Sequence, residues 1–197
     1  MSHTKIKSTI VIVLLLGLSI FGLSPELALA DDTLEAYIYQ EGADNDGLIR
    51  QEAQDNLAYL FQVGSNNTGY IYQEGQDNIS WQIQTGQSNV AYAEILGNSN
   101  LTIQTQIGDS NDLYLWQSGN YNRLIQSQIG SENLAHARIT GSRNAVSQSQ
   151  VGTKHSSRIT ITGDNNTVDH VQIGFGTELI LDHAGDNAVI STFRFGL

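Results

Sequence analysis

Along most of this chain apolar and polar side chains alternate in short runs such as ISWQIQ (79–84) and DLYLWQ (112–117), each closed by a glycine and a nearby asparagine. Alternation with period two predicts β-strands, and the Ile, Leu, Val, Thr, Tyr and Trp content of the runs agrees. The closing residues keep strict time. Glycine stands at 42, 64, 75, 86, 97, 108, 119, 130, 141, 152, 163, 174, 185 and 196, all on one eleven-residue grid whose exception is Ala53. Three positions after the grid come Asn45, Asn56, Asn67, Asn78, Asn89, Asn100, Asn111, Asn122, Asn133, Asn144 and Asn166, with His155, Thr177 and Ala188 departing. Two positions before it come Gln40, Gln51, Gln62, Gln73, Gln84, Gln106, Gln117, Gln128, Gln150 and Gln172, interrupted by Ile95, Ile139, Ile161, His183 and Arg194.

An eleven-residue period also occurs in right-handed coiled coils. A glycine in every third turn would cost such a helix roughly 1 kcal/mol each, so strands joined by tight turns are the better solution. In the G-x-x-N turn, Gly supplies backbone angles closed to other residues, and Asn tolerates the left-handed region and bonds locally. Alternate half-repeats differ. One class carries Gln82-Gln84, Gln104-Gln106, Gln126-Gln128 and Gln148-Gln150; the other places Ile49, Ile71, Ala93, Leu115, Ala137, Ile159 and Leu181 where the first of these Gln would be. The full repeat is therefore twenty-two residues. The predicted fold is all-β: a parallel two-sheet β-solenoid of about seven 22-residue coils, strand-turn-strand-turn, amyloid-like in its stacking.

The distribution of charge decides which face is inside. Counting from the grid glycine, positions +4, +6 and +8 carry Asp46, Arg50, Glu94, Asp112, Arg123, Arg138, Arg158, Asp169, Glu178 and Asp182, whereas +5, +7 and +9 carry only Arg194. Unpaired charges are almost never buried, so the second set faces the core. Its amides are tolerable there only if each Gln bonds to its equivalents one coil above and below. On the outer face Tyr70, Tyr92 and Tyr114 share one position, with Tyr72 and Trp116 beside them and Tyr59, Phe61 and Trp81 on the opposite sheet. This strip serves either to stack the sheets or as a lateral surface for bundling or adhesion.

Composition adds an export signal. Lys5 and Lys7 precede an apolar run, Thr9 to Leu23; Pro25 follows, and Ala28-Leu29-Ala30 has the small-x-small form of a cleavage site. Residues 1–30 are read as a signal peptide and 31–197 as the solenoid; an uncleaved anchor is the alternative, but the run is short for a bilayer core of roughly 30 Å. Without Lys5, Lys7 and Glu26, the nine basic and twenty acidic residues become seven and nineteen, a net charge of −12. Nucleic acid is an improbable partner for such a surface. The mature chain has neither Cys nor Pro, which suits a backbone in which almost every N–H serves a ladder.

The iterated Q-x-G-x-x-N, as in Gln62-Gly64-Asn67-Gly69-Gln73, Gln84-Gly86-Asn89-Ala91-Ile95 and Gln128-Gly130-Asn133-Ala135-Ile139, closely resembles the curlin repeat of bacterial curli fibre subunits from about Tyr39 to Phe195. The resemblance implies a secreted, non-enzymatic subunit of an extracellular amyloid fibre at the cell surface, with roles in biofilm and adhesion. It implies self-association, with other curli subunits and an outer-membrane secretion channel as further partners. The ladders that would drive assembly are Gln40, Gln62, Gln84, Gln106, Gln128, Gln150 and Gln172 with Asn45, Asn67, Asn89, Asn111 and Asn133, and the matching turn glycines are Gly42, Gly64, Gly86, Gly108, Gly130, Gly152 and Gly174. Asp31 to Glu35 is shorter than the Gly-rich leader of the familiar major subunit, and the divergent last coils are similar to those of a nucleating minor subunit or to a solenoid cap.

Catalytic chemistry finds no support. His136, His155, His170 and His183 lack metal-ligand spacing; Asp44-Asn45-Asp46-Gly47 lacks the later Glu of a calcium loop; the serines lack a His/Asp partner. No cofactor is expected. The competing reading is a monomeric ice- or glycan-binding solenoid, but Thr160-Ile161-Thr162 is an isolated Thr-x-Thr, not a repeated face.

Overall fold

The computed structural model describes residues 34–197. The expected signal peptide and the start of the mature chain at Asp31 lie outside the described residues. Within them, fifteen strands form two parallel sheets. One sheet holds β1 (Glu35–Ala43), β3 (Leu57–Ser65), β5 (Ile79–Gln87), β7 (Leu101–Asp109), β9 (Arg123–Ser131), β11 (Ala145–Thr153), β13 (Thr167–Phe175) and β15 (Val189–Phe195). The other holds β2 (Asp46–Glu52), β4 (Thr68–Glu74), β6 (Val90–Leu96), β8 (Asp112–Ser118), β10 (Leu134–Thr140), β12 (Ser156–Thr162) and β14 (Glu178–Ala184). The chain is thus a two-sheet β-solenoid that changes sheet at every turn. Every strand pairs with the one a full repeat away: Gln62 with Gln84, Gln84 with Gln106, Gly86 with Gly108. The 22-residue repeat is carried through all the pairs without slippage.

The inside–outside alternation is as expected from charge. In β4, Gly69, Ile71 and Gln73 are buried while Tyr70 and Tyr72 face outward. The aliphatic column Ile71, Ala93, Leu115, Ala137 and Ile159 is wholly enclosed and packs on Ala58, Leu60, Leu124, Val146 and Val168 of the other sheet. Burying one such Leu or Ile contributes about 1.5–3 kcal/mol. Near the N-terminal end, two inward glycines answer one large side chain: a Cβ on Gly47 or Gly69 would lie 2.7 or 2.5 Å from the Leu60 methyls.

The turns differ from the sequence expectation in one respect. The left-handed residue is not the Asn but the one before it, with φ between +54° and +62° from Asp55 through Ser88 and Tyr121 to Gly176. That leaves the Asn side chain free to point inward. The grid glycines have φ mostly near +120°, and they are also sites of close approach, since a Cβ on Gly86 would sit 2.0 Å from the carbonyl oxygen of Gly108. Ala53, the exception on the grid, takes φ +74°. Its turn is looser: Gly75 and Asp77 N–H reach Glu52 and Gln54 carbonyls at 3.3 Å, against 2.9 and 2.8 Å for the equivalent Gly97 and Ser99 bonds one coil on.

Candidate assembly surfaces

Strand alternation aims the residue two before each grid glycine into the core, and in-register pairing stacks its equivalents. Each Gln Nε2 in the column donates to the Oε1 of the next: Gln40 to Gln62, then Gln84, Gln106, Gln128, Gln150 and Gln172, at 2.6–3.1 Å. All but Gln40 are fully buried. The same amides stitch the two sheets together. Gln84 Nε2 also donates to the Thr68 carbonyl on β4 (2.9 Å) and to the Asn89 carbonyl in its own turn (3.1 Å). A shorter ladder runs beside it through Gln82, Gln104, Gln126 and Gln148 at 2.7–2.9 Å.

The Asn column runs the opposite way. Asn67 Nδ2 donates back to Asn45 Oδ1, followed by Asn89 to Asn67, Asn111 to Asn89 and Asn133 to Asn111, at 2.9–3.0 Å. The second Nδ2 hydrogen is used as well, since Asn89 also donates to the Gly108 carbonyl at 2.7 Å. Oδ1 accepts twice: Asn67 Oδ1 takes both the side-chain and the backbone N–H of Asn89. Both donors of each interior Asn are therefore satisfied, as a buried amide requires. An equivalent column through Asn56, Asn78, Asn100, Asn122, Asn144 and Asn166 lines the other edge. Two oppositely directed chains of amide dipoles thus lie along the solenoid axis.

Where the repeat drifts, the ladders show what replaces them. His155 stands in for Asn: Thr177 N–H donates to its Nδ1 (3.2 Å), which leaves the hydrogen on Nε2 to reach the Val151 carbonyl (3.2 Å). His170 is fully buried in the column after Gln148, its Nδ1 2.7 Å from Thr192 Oγ1; burial, the largest influence, lowers its pKa, and Arg194 adds to that. Gln117 lies between Ile95 and Ile139, and neither its Nε2 nor its Oε1 has a partner. Arg194 occupies an inward position beside Gln172, but in the end strand it is exposed.

A further set of contacts escaped the sequence reading. The residue after the grid glycine accepts from its equivalent one coil earlier: Asn98 from Gln76 N–H (2.9 Å), Asp109 from Gln87 N–H (3.0 Å), Asp164 from Ser142 N–H (2.7 Å). The recurrence of Asn and Asp at this position was the available signal. On the outer face Tyr37 stacks on Tyr59 and Tyr70 on Tyr92, with centroids 4.7 and 4.8 Å apart, the rise of one coil. Burial, with donation to Glu74 and Glu94, pushes the Tyr72 and Tyr92 hydroxyls up to about 12, so both remain protonated donors.

Two parallel sheets, a core of amide ladders and repeating backbone contacts between turns define an amyloid-like structural β-solenoid. The chain carries the curlin associated repeat: that family's model matches residues 53–80, from the Ala53 turn through β3 and β4. It is a repeat of structural proteins, not enzymes, and the same spacing recurs on either side of the matched stretch. No curated protein and no solved structure matches the chain.

Proposed function

We propose that the mature chain is the subunit of an extracellular curli-like amyloid fibre, assembled by head-to-tail stacking of solenoids and supporting biofilm matrix and adhesion. The observation that carries this reading is that the Gln ladder begins in β1, an edge strand with a neighbour on one side only. Edges β1 and β2 at one end and β14 and β15 at the other are rows of backbone groups, and among the described residues no helix covers them. β15 also exposes Val189 and Phe193, an edge suited to pairing. The ladder residues Gln40 through Gln172 and Asn45 through Asn133 set the register of each joint, because a slipped copy would bury unpaired amides at about 1–3 kcal/mol apiece. A second copy is the main partner; a secretion channel and companion subunits follow from the same reading. Purified chain 31–197, left standing, should give thioflavin-positive fibres with a meridional reflection near the strand spacing of about 4.8 Å. Protein that stays monomeric and dye-negative would favour the binding-module reading instead.

A further inference from the structure

Between Leu113 and Gly163 the charge balance of this acidic chain inverts: Arg123, Arg138, Arg143, Lys154 and Arg158 face a single acid, Glu132. Lys154 pairs with Glu132 at 3.7 Å, and the other ion pair among the described residues is Arg50–Glu52, so Arg138 and Arg158 are in neither. Both guanidinium groups are exposed on the outer face of the even-strand sheet, where they line a concavity of about 1000 Å³.

Register determines what lies beside them. Glu94, Trp116, Arg138 and Thr160 occupy one outward column on β6, β8, β10 and β12; Tyr114, His136 and Arg158 occupy the neighbouring one. An indole that is 40% exposed thus has a carboxylate one coil to one side and a guanidinium one coil to the other. Glu94 and Arg138 are two coils, about 10 Å, apart. Ser118 and Thr160 add hydroxyls to the rim. A ligand matching this shelf has a flat, weakly polar face for Trp116, hydroxyls for Glu94, and an anionic group for the two arginines. A deoxyribose phosphodiester backbone does not match, because it offers the Glu94 carboxylate, an acceptor only, no hydroxyls to donate.

From this juxtaposition we infer that the Trp116–Arg138–Arg158 shelf binds acidic saccharide, a uronate-bearing chain of two or three residues' length, on the side of the solenoid. Concave sites that combine an aromatic wall with a few convergent polar groups are the usual form of small-ligand sites. The shelf is remote from β1 and β15, so occupancy does not depend on whether the ends stack, and binding can fail or succeed independently of fibre formation.

The chain has two tryptophans, and Trp81 is on the opposite sheet, so Trp81→Phe leaves Trp116 as a local reporter. Trigalacturonate titrated into this variant of the full mature chain should change Trp116 fluorescence saturably, and its methyl ester should not. Arg138→Gln with Arg158→Gln should weaken binding at least about tenfold, because both charge-assisted hydrogen bonds to the carboxylates are lost. Absence of a saturable change, equal binding of the ester, or unchanged affinity in the double variant would overturn the inference. So would an oligothymidylate that competes equally well, which would make the shelf a general anion patch. If saccharide does not bind but the double variant disperses fibre bundles, the face belongs to a neighbouring copy and the saccharide assignment falls. Circular dichroism of each variant verifies that the solenoid is retained.

Discussion

Gln117 lies in register with Ile95, and that pairing leaves a fully buried amide facing a hydrocarbon where every continuous ladder supplies another amide. Ile139 on its other side repeats the mismatch. Gln117→Leu should therefore raise stability by about 1–3 kcal/mol, because aliphatic packing takes the place of an unsatisfied amide. The same exchange at Gln106 should destabilise by a similar amount, since Gln84 loses its acceptor and Gln128 its donor. Guanidinium unfolding midpoints of the two variants should move in opposite directions; movement in the same direction would refute the ladder account.

Ala53 carries a side chain where the other grid turns use glycine. Its φ of +74° and the 3.3 Å bonds across its turn mark a strained joint. Ala53→Gly should stabilise by about 1 kcal/mol, the lower end of the cost of a left-handed L-residue. Gly86→Ala should cost more than that, since its Cβ would lie 2.0 Å from the Gly108 oxygen. Thermal melts of the two variants test both signs.

Acidification should loosen the C-terminal coils first. The pKa of His170 is lowered in the fold, chiefly by burial, so the unfolded state takes up its proton before the folded state does. Stability is intact above the ordinary imidazole value of about 6.5 and is lost as pH falls from there towards the folded value. Amide exchange in β13 and β15 should accelerate below that pH while β5 to β9 stay protected. His170→Gln, which continues the ladder from Gln148, should abolish the difference.

Salt should speed fibre formation. With a net charge of −12 on residues 31–197, approaching copies repel, and the Debye length shrinks from about 10 Å at 0.1 M to about 3 Å at 1 M. Thioflavin lag times should shorten across this range. Lag times that lengthen would place attraction between opposite charges, not backbone pairing and burial, at the joint.

Much of this architecture was open to reading in the chain itself. A turn motif repeated every eleven residues sets the spacing of the strands, and charge confined to alternate positions tells which face is dry, so period, sheets, register and the Gln column all follow. These are local rules applied many times, and repetition removes their individual ambiguity. What only the tertiary structure decided are the relations between coils whose residues are not equivalent. It moved the left-handed conformation from Asn to its predecessor, freeing Asn89 to bond one coil back while Gln84 bonds one coil forward. It left both polar atoms of Gln117 without a partner, gave His155 the hydrogen bonds of an asparagine, and opened a concavity beside Trp116, Arg138 and Arg158. The repeat says which residues stack, but how each side chain turns and which atom it bonds depends on packing from both sheets at once, as where Gln84 reaches the Thr68 carbonyl on the facing sheet.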